Sequence, residues 1–119
     1  MTQRRRQILI AENEFFIAMD AERAVRELLD CEISLCRRDH LDDMLAHSQR
    51  DLVLVEAGAT FQECCEQAER IMKAGSQVAF LTANPNIREK LRAETSYPVI
   101  DIPFTDDAIR AFLEGLYGA

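Results

Sequence analysis

The sequence predicts an α/β fold in which five parallel strands, ordered 2-1-3-4-5, form a doubly wound sheet with helices on both faces. Three observations predict it. Five short apolar runs alternate with helical patterns along the chain, as repeated strand-helix-strand units require. Three of the runs are continuously apolar, the mark of strands covered on both faces, and two are mixed, the mark of half-covered edges. Right-handed crossovers, with the mixed runs at the edges, leave this order as the simplest arrangement.

The elements follow in turn. Ile8-Leu9-Ile10-Ala11 is the first strand, preceded by Arg4-Arg5-Arg6 in a basic flank over residues 1–6 that we read as solvated. Ile17, Ala21, Ala24, Val25, Leu28 and Leu29 share one face of the first helix, while Asp20, Glu22, Arg23 and Arg26 fall elsewhere. The second run, residues 31–36, alternates Ile33 and Leu35 against Glu32 and Ser34 and suits an edge. A weaker helix uses Leu41, Met44 and Leu45, with Asp39 as its cap. Leu52-Val53-Leu54-Val55 is the third strand, and Glu56 ends it. Thr60-Phe61-Gln62-Glu63 spells a capping box; its helix runs through Cys64, Ala68, Ile71 and Met72 to a stop at Gly75. After the fourth strand, Val78-Ala79-Phe80-Leu81, Asn84 caps a helix with Pro85 at its first position and about two turns of pattern. Residues 98–102 form the fifth strand, whose leading proline fits an edge. Thr105-Asp106-Asp107 opens the last helix, with Ile109, Phe112, Leu113 and Leu116 on its apolar face.

Composition narrows the function. The 119 residues suit one domain, 1–119, with no linker or repeat, and 48% apolar with 29% charged residues is ordinary globular material. Fourteen basic against 21 acidic residues give a net charge of −7, which argues against a nucleic-acid partner. The first apolar run is broken at once by Glu12-Asn13-Glu14, too soon for a signal peptide or a membrane span, so a cytoplasmic protein with no membrane partner is expected. Cys31, Cys36, Cys64 and Cys65 lack metal-ligand spacing and read as small core residues. His40 and His47 lie around the weak second helix without a catalytic partner.

In doubly wound sheets ligands bind beyond the carboxyl ends of the strands, near the topological switch between the first and third. Those ends carry Glu12-Asn13-Glu14, Glu56, Thr82-Ala83 and Ile102-Pro103-Phe104, which should converge on one pocket. The spellings Ile8-Leu9-Ile10-Ala11-Glu12-Asn13-Glu14, Asp51-Leu52-Val53-Leu54-Val55-Glu56, Phe80-Leu81-Thr82-Ala83 and Ile102-Pro103-Phe104 stand in the right order at the right places. Through them residues 7–117 resemble a receiver domain of bacterial two-component response regulators, a flavodoxin-like topology.

The resemblance implies a mechanism for these positions. In that family an acidic pair after the first strand and an acceptor aspartate after the third hold Mg²⁺. A threonine or serine after the fourth strand receives the phosphoryl group, and a lysine before Pro-Phe neutralises it. Here Glu12 and Thr82 stand at their positions, but Asn13 replaces the second acid, Glu56 the acceptor and Ile102 the lysine. Any Mg²⁺ held by Glu12, Asn13 and Glu56 should bind weakly. The extra methylene of Glu56 moves the nucleophile by roughly an ångström, enough to cost about 100-fold in an alignment-sensitive reaction.

We therefore expect a single-domain pseudo-receiver, not an enzyme and without a cofactor. It would act in a phosphorelay by protein contact, with Glu56 either imitating the phosphorylated state or, as we favour, inert. An atypical phosphoacceptor that still uses Mg²⁺ and a pocket carboxylate is the alternative. A flavin carrier is disfavoured by the acidic and bulky turn at residues 12–16, where phosphate-bearing cofactors need accessible amides. Expected partners are a histidine kinase, a phosphotransfer protein, a downstream effector or a second copy. The expected surface includes Arg88, Arg92, Tyr97, Asp101, Asp107 and Arg110. The resemblance also implies that the peptide bond before Pro103 is cis.

Overall fold

The computed structural model describes residues 5–118. It contains β1 (Arg6–Ala11), α1 (Phe15–Leu28), β2 (Cys31–Cys36), α2 (Leu41–His47), β3 (Leu52–Glu56) and α3 (Phe61–Lys73). There follow β4 (Gln77–Thr82), α4 (Pro85–Glu94), β5 (Val99–Asp101) and α5 (Asp106–Tyr117). All strand pairs are parallel and the order is β2-β1-β3-β4-β5, as the sequence predicts.

Alternation along the central strands builds two cores. Ile8, Ile10, Leu52, Leu54, Ala79 and Leu81 point to the side of Ala21, Val25, Ile109 and Leu113, from α1 and α5. Leu9, Val53, Val55 and Phe80 point to the opposite side, against Leu41, Ala68, Ile71, Ile87 and Leu91 of α2, α3 and α4. Continuous apolar runs were needed because both faces of these strands are buried. Ile33 joins the first core, whereas Leu35, two residues on, is 37% exposed because β2 is an edge. Met72, assigned by its spacing to the apolar face of α3, is exposed instead; buried Gln67 occupies that face nearer the site.

The local signals act as their chemistry requires. Thr60 accepts the Glu63 N–H, Asn84 accepts those of Asn86 and Ile87, and Thr105 accepts that of Ala108, satisfying otherwise unpaired amides. Gly75 has φ +90° and ends α3: its N–H reaches the Met72 carbonyl while that of Ser76 reaches Ile71, a Schellman closure. The Ile102–Pro103 peptide is cis.

Four details correct the expectations. A 3₁₀ turn, Arg38–His40, precedes α2, so Asp39 lies inside that turn and the capping position falls to His40, without a side-chain bond. Helix α4 is ten residues long, nearer three turns than two, because its cap and proline start it early. Strand β5 is only Val99–Asp101, which leaves Ile102 beyond its end. The basic flank is not simply solvated: Arg5 bonds the Cys31 carbonyl at 2.7 Å and pairs with Asp30, and Arg6 begins β1 with its guanidinium 3.9 Å from the centre of the Tyr117 ring. Arg4 lies outside the described residues.

Candidate functional site

The register brings the strand ends together. Ala11 pairs with Val55, Glu56 with Leu81 and Thr82 with Asp101, so the residues just beyond β1, β3, β4 and β5 surround one space. A cleft of about 400 Å³ there is lined by Glu12, Arg38, Glu56, Thr82 and Ile102, among others. Asn13 lines the neighbouring groove, and Pro103 a separate cleft beside β5 and α5.

Two carboxylates dominate the pocket. Glu12 is only 4% exposed; one oxygen accepts the Glu14 N–H at 3.1 Å, and the other is buried without a partner. Burial pushes this carboxyl up to about 7; the Glu14 amide pulls against the rise and the adjacent Glu56 carboxylate adds to it. Glu56 accepts the Asn13 N–H at 3.0 Å, and its second oxygen lies 3.9 Å from the Arg38 guanidinium. The Asn13 side chain faces the β2–α2 connection, where its oxygen accepts the Arg38 N–H at 2.8 Å.

The remaining positions are occupied by structural contacts. The Thr82 hydroxyl accepts the Asn84 N–H at 3.0 Å. Ile102 packs on the α1/α5 core, so the lysine position is filled by apolar contact. Its N–H donates to the Thr82 carbonyl, which fastens β5 to β4 beside the pocket.

The loop after Glu56 is held from below by a side chain whose role the sequence did not disclose. Gln67 donates to the Glu56 carbonyl at 3.2 Å and accepts the Gly58 N–H at 3.1 Å. Gly58 has no room for a side chain, since a Cβ there would stand 2.6 Å from that of Glu63. Replacing Gln67 with leucine leaves two backbone groups unpaired near the site. Gln67→Leu should therefore lower stability by about 1–3 kcal/mol, read from urea unfolding.

Arg38 was also missed. The expected pocket draws on the ends of strands one, three, four and five and not on that of strand two. Since β2 pairs with β1 through Ala11 and Cys36, the Arg37-Arg38 pair just after Cys36 had to lie at the same sheet edge. That adjacency was the available signal.

The expected interaction surface divides. Arg88 and Arg92 both pair with Asp101, at 3.3 and 3.5 Å, and Tyr97 is half-buried with its ring edge-on to Phe80. Asp107 and Arg110 are exposed on α5. The sequence reading did not single out the apolar patch at the start of α1, where Phe15, Phe16 and Met19 are 64%, 81% and 46% exposed.

The Mg²⁺ implied by the receiver resemblance does not fit these side chains. Hard cations of this kind take about six oxygen ligands. Here Asn13 offers its oxygen to Arg38, Glu56 faces a guanidinium, and Glu12 is a buried carboxyl biased toward its neutral form. Among the described residues, no group of three or more His, Cys, Asp or Glu side chains could hold a metal ion.

Strand order and the cleft at the strand ends give the chain the α/β fold seen in receiver domains. The chain aligns with the signal receiver domain of an HD domain-containing protein from Pseudomonas fluorescens Pf-5, with a TM-score of 0.77 and 17% identity over 97% of this chain and 88% of that one. It also aligns with a fusion bearing the yeast Spc42 trimeric coiled coil, with a TM-score of 0.70 and 22% identity over 92% and 73% of the two chains. A third similar structure is a putative pilus assembly-related protein from Burkholderia pseudomallei K96243, with a TM-score of 0.67 and 16% identity over 92% and 87%. No family model and no curated protein sequence matches the chain. At these identities the likeness establishes the receiver fold. Among the described residues no helix is long and apolar enough to cross a membrane.

Proposed function

We propose that this chain is a receiver-like signalling domain that acts by contact with other proteins and is not switched by phosphorylation at Glu56. One observation carries the reading: the residue at the acceptor position is a glutamate held by the Asn13 amide and faced by Arg38, with Ile102 where a lysine would neutralise transferred charge. Phosphoryl transfer depends on alignment and charge compensation, and this pocket lacks both the aspartate and the lysine that supply them. The description of one structural neighbour as a signal receiver domain supports the signalling part.

The partners that fit are a histidine kinase, a phosphotransfer protein, a downstream effector or a second copy, met in the cytoplasm through the α4–β5–α5 face. No catalysis is needed for this role. Intact-mass measurement after incubation with Mg²⁺ and acetyl phosphate tests the reading. The expected spectrum is unchanged. A gain of about 80 Da, one phosphoryl group, that disappears in Glu56→Gln would overturn it.

A further inference from the structure

Among the described residues that line the pocket, Arg38 is the one basic side chain. Its guanidinium lies 3.9 Å from Glu56 and 4.0 Å from Glu63, so one cation faces carboxylates from the end of β3 and the first turn of α3. The side chain is mostly covered, at 28% exposure, and its Nε is buried without a partner. The backbone is fixed as well, because the Arg38 N–H is held by Asn13, the residue at the second acidic position.

Topology makes this placement distinctive. The lysine position, now Ile102, follows β5 at one edge of the sheet, whereas Arg38 follows β2 at the other. Positive charge therefore enters the pocket from the opposite side. A guanidinium stays ionised at any physiological pH, and here it stands 3.9 Å from a Glu56 oxygen.

We propose that Arg38 is the resident cation of this pocket, neutralising Glu56 in place of both a divalent metal ion and the missing lysine. The proposal deepens the phosphorylation-independent reading and rests on it. It also explains why loss of the lysine does not leave Glu56 facing only Glu12. With its counter-ion built into the chain, the pocket is held in one metal-independent arrangement.

Mn²⁺ titration followed by the spin-resonance signal of the free ion tests this on the wild-type chain, Arg38→Ala, Arg38→Gln, Glu56→Gln and the double variant Arg38→Ala with Glu56→Gln. Arg38→Ala and Arg38→Gln should each bind Mn²⁺ at least tenfold more tightly than wild type, and the double variant should lose that gain. A thermal midpoint that rises with Mn²⁺ in the single variants but not in wild type would support the same conclusion and confirm that the variants fold. Equal affinity in wild type and a folded single variant would overturn the proposal, as would tight Mn²⁺ binding by wild type that Glu56→Gln abolishes. Phosphorylation of wild type that is lost in Glu56→Gln sinks the functional reading by itself, whereas the Mn²⁺ comparison judges Arg38 whichever way that experiment falls.

Discussion

On an Arg38→Ala background, the combined changes Asn13→Asp, Glu56→Asp and Ile102→Lys should let the chain accept a phosphoryl group from acetyl phosphate about 10³-fold or more faster than wild type. Each change restores one term. Glu56→Asp draws the nucleophile back by roughly an ångström, a displacement worth about 100-fold where alignment governs rate. Ile102→Lys supplies a cation for the transferred charge, a contribution of about 10²–10³ in comparable sites. The lysine stem can follow the path of Ile102 over the α1/α5 core while its ammonium reaches the cleft. Asn13→Asp adds the second carboxylate, and removing Arg38 frees the space and charge that a divalent ion requires. The same three substitutions with Arg38 in place should gain far less. Intact mass after incubation with Mg²⁺ separates these outcomes. A folded quadruple variant that stays unmodified would place the defect in the loop after Glu56, which Gln67 and Gly58 hold in its present course.

The contrast between what the sequence disclosed and what it concealed follows from the range of the interactions. Continuous apolar runs, the Thr60 and Asn84 caps and Gly75 act within a few residues or across whole faces. Strand order and the starts of α3 and α4 could therefore be read directly. The pocket positions at Glu12, Glu56, Thr82 and Ile102 were legible because parallel strands must deliver their carboxyl ends to one edge. Arg38 obeys the same rule at the end of β2 and was passed over, whereas Gln67 belongs to no local pattern. Arg38 reaches Glu56 only through the pairing of β2 with β1, and Gln67 only through the packing of α3 beneath the β3–α3 loop. Met72 misled for the reverse reason: its spacing suited an apolar face, but the buried face of α3 is Cys64, Gln67, Ala68 and Ile71.

Glu12→Gln should stabilise the protein above pH 7 and leave it nearly unchanged near pH 4. The carboxyl of Glu12 is raised from 4.5 to about 7, chiefly by burial. Between those values the folded state keeps a proton that the unfolded chain has released, so stability falls as pH rises through this window and levels off above it. At 1.36 kcal/mol per pH unit the loss approaches about 3 kcal/mol for wild type. Glutamine is neutral throughout, keeps an oxygen for the Glu14 N–H and brings an NH₂ group toward the buried oxygen position that now lacks a partner. Its advantage at pH 8 should be about 3 kcal/mol, or roughly 10 °C in melting temperature for a chain of this size. Other carboxyls act in the opposite sense: the Arg23 guanidinium holds Asp106 below its usual range, so its contribution is present above its ordinary value and disappears as acid is added. Such groups are common to both proteins and cancel in the difference. Urea unfolding of wild type and Glu12→Gln at pH 4.5 and pH 8 gives that difference directly. A gap of the same size at both pH values would mean that Glu12 is already ionised in the folded protein and that burial does not govern its proton.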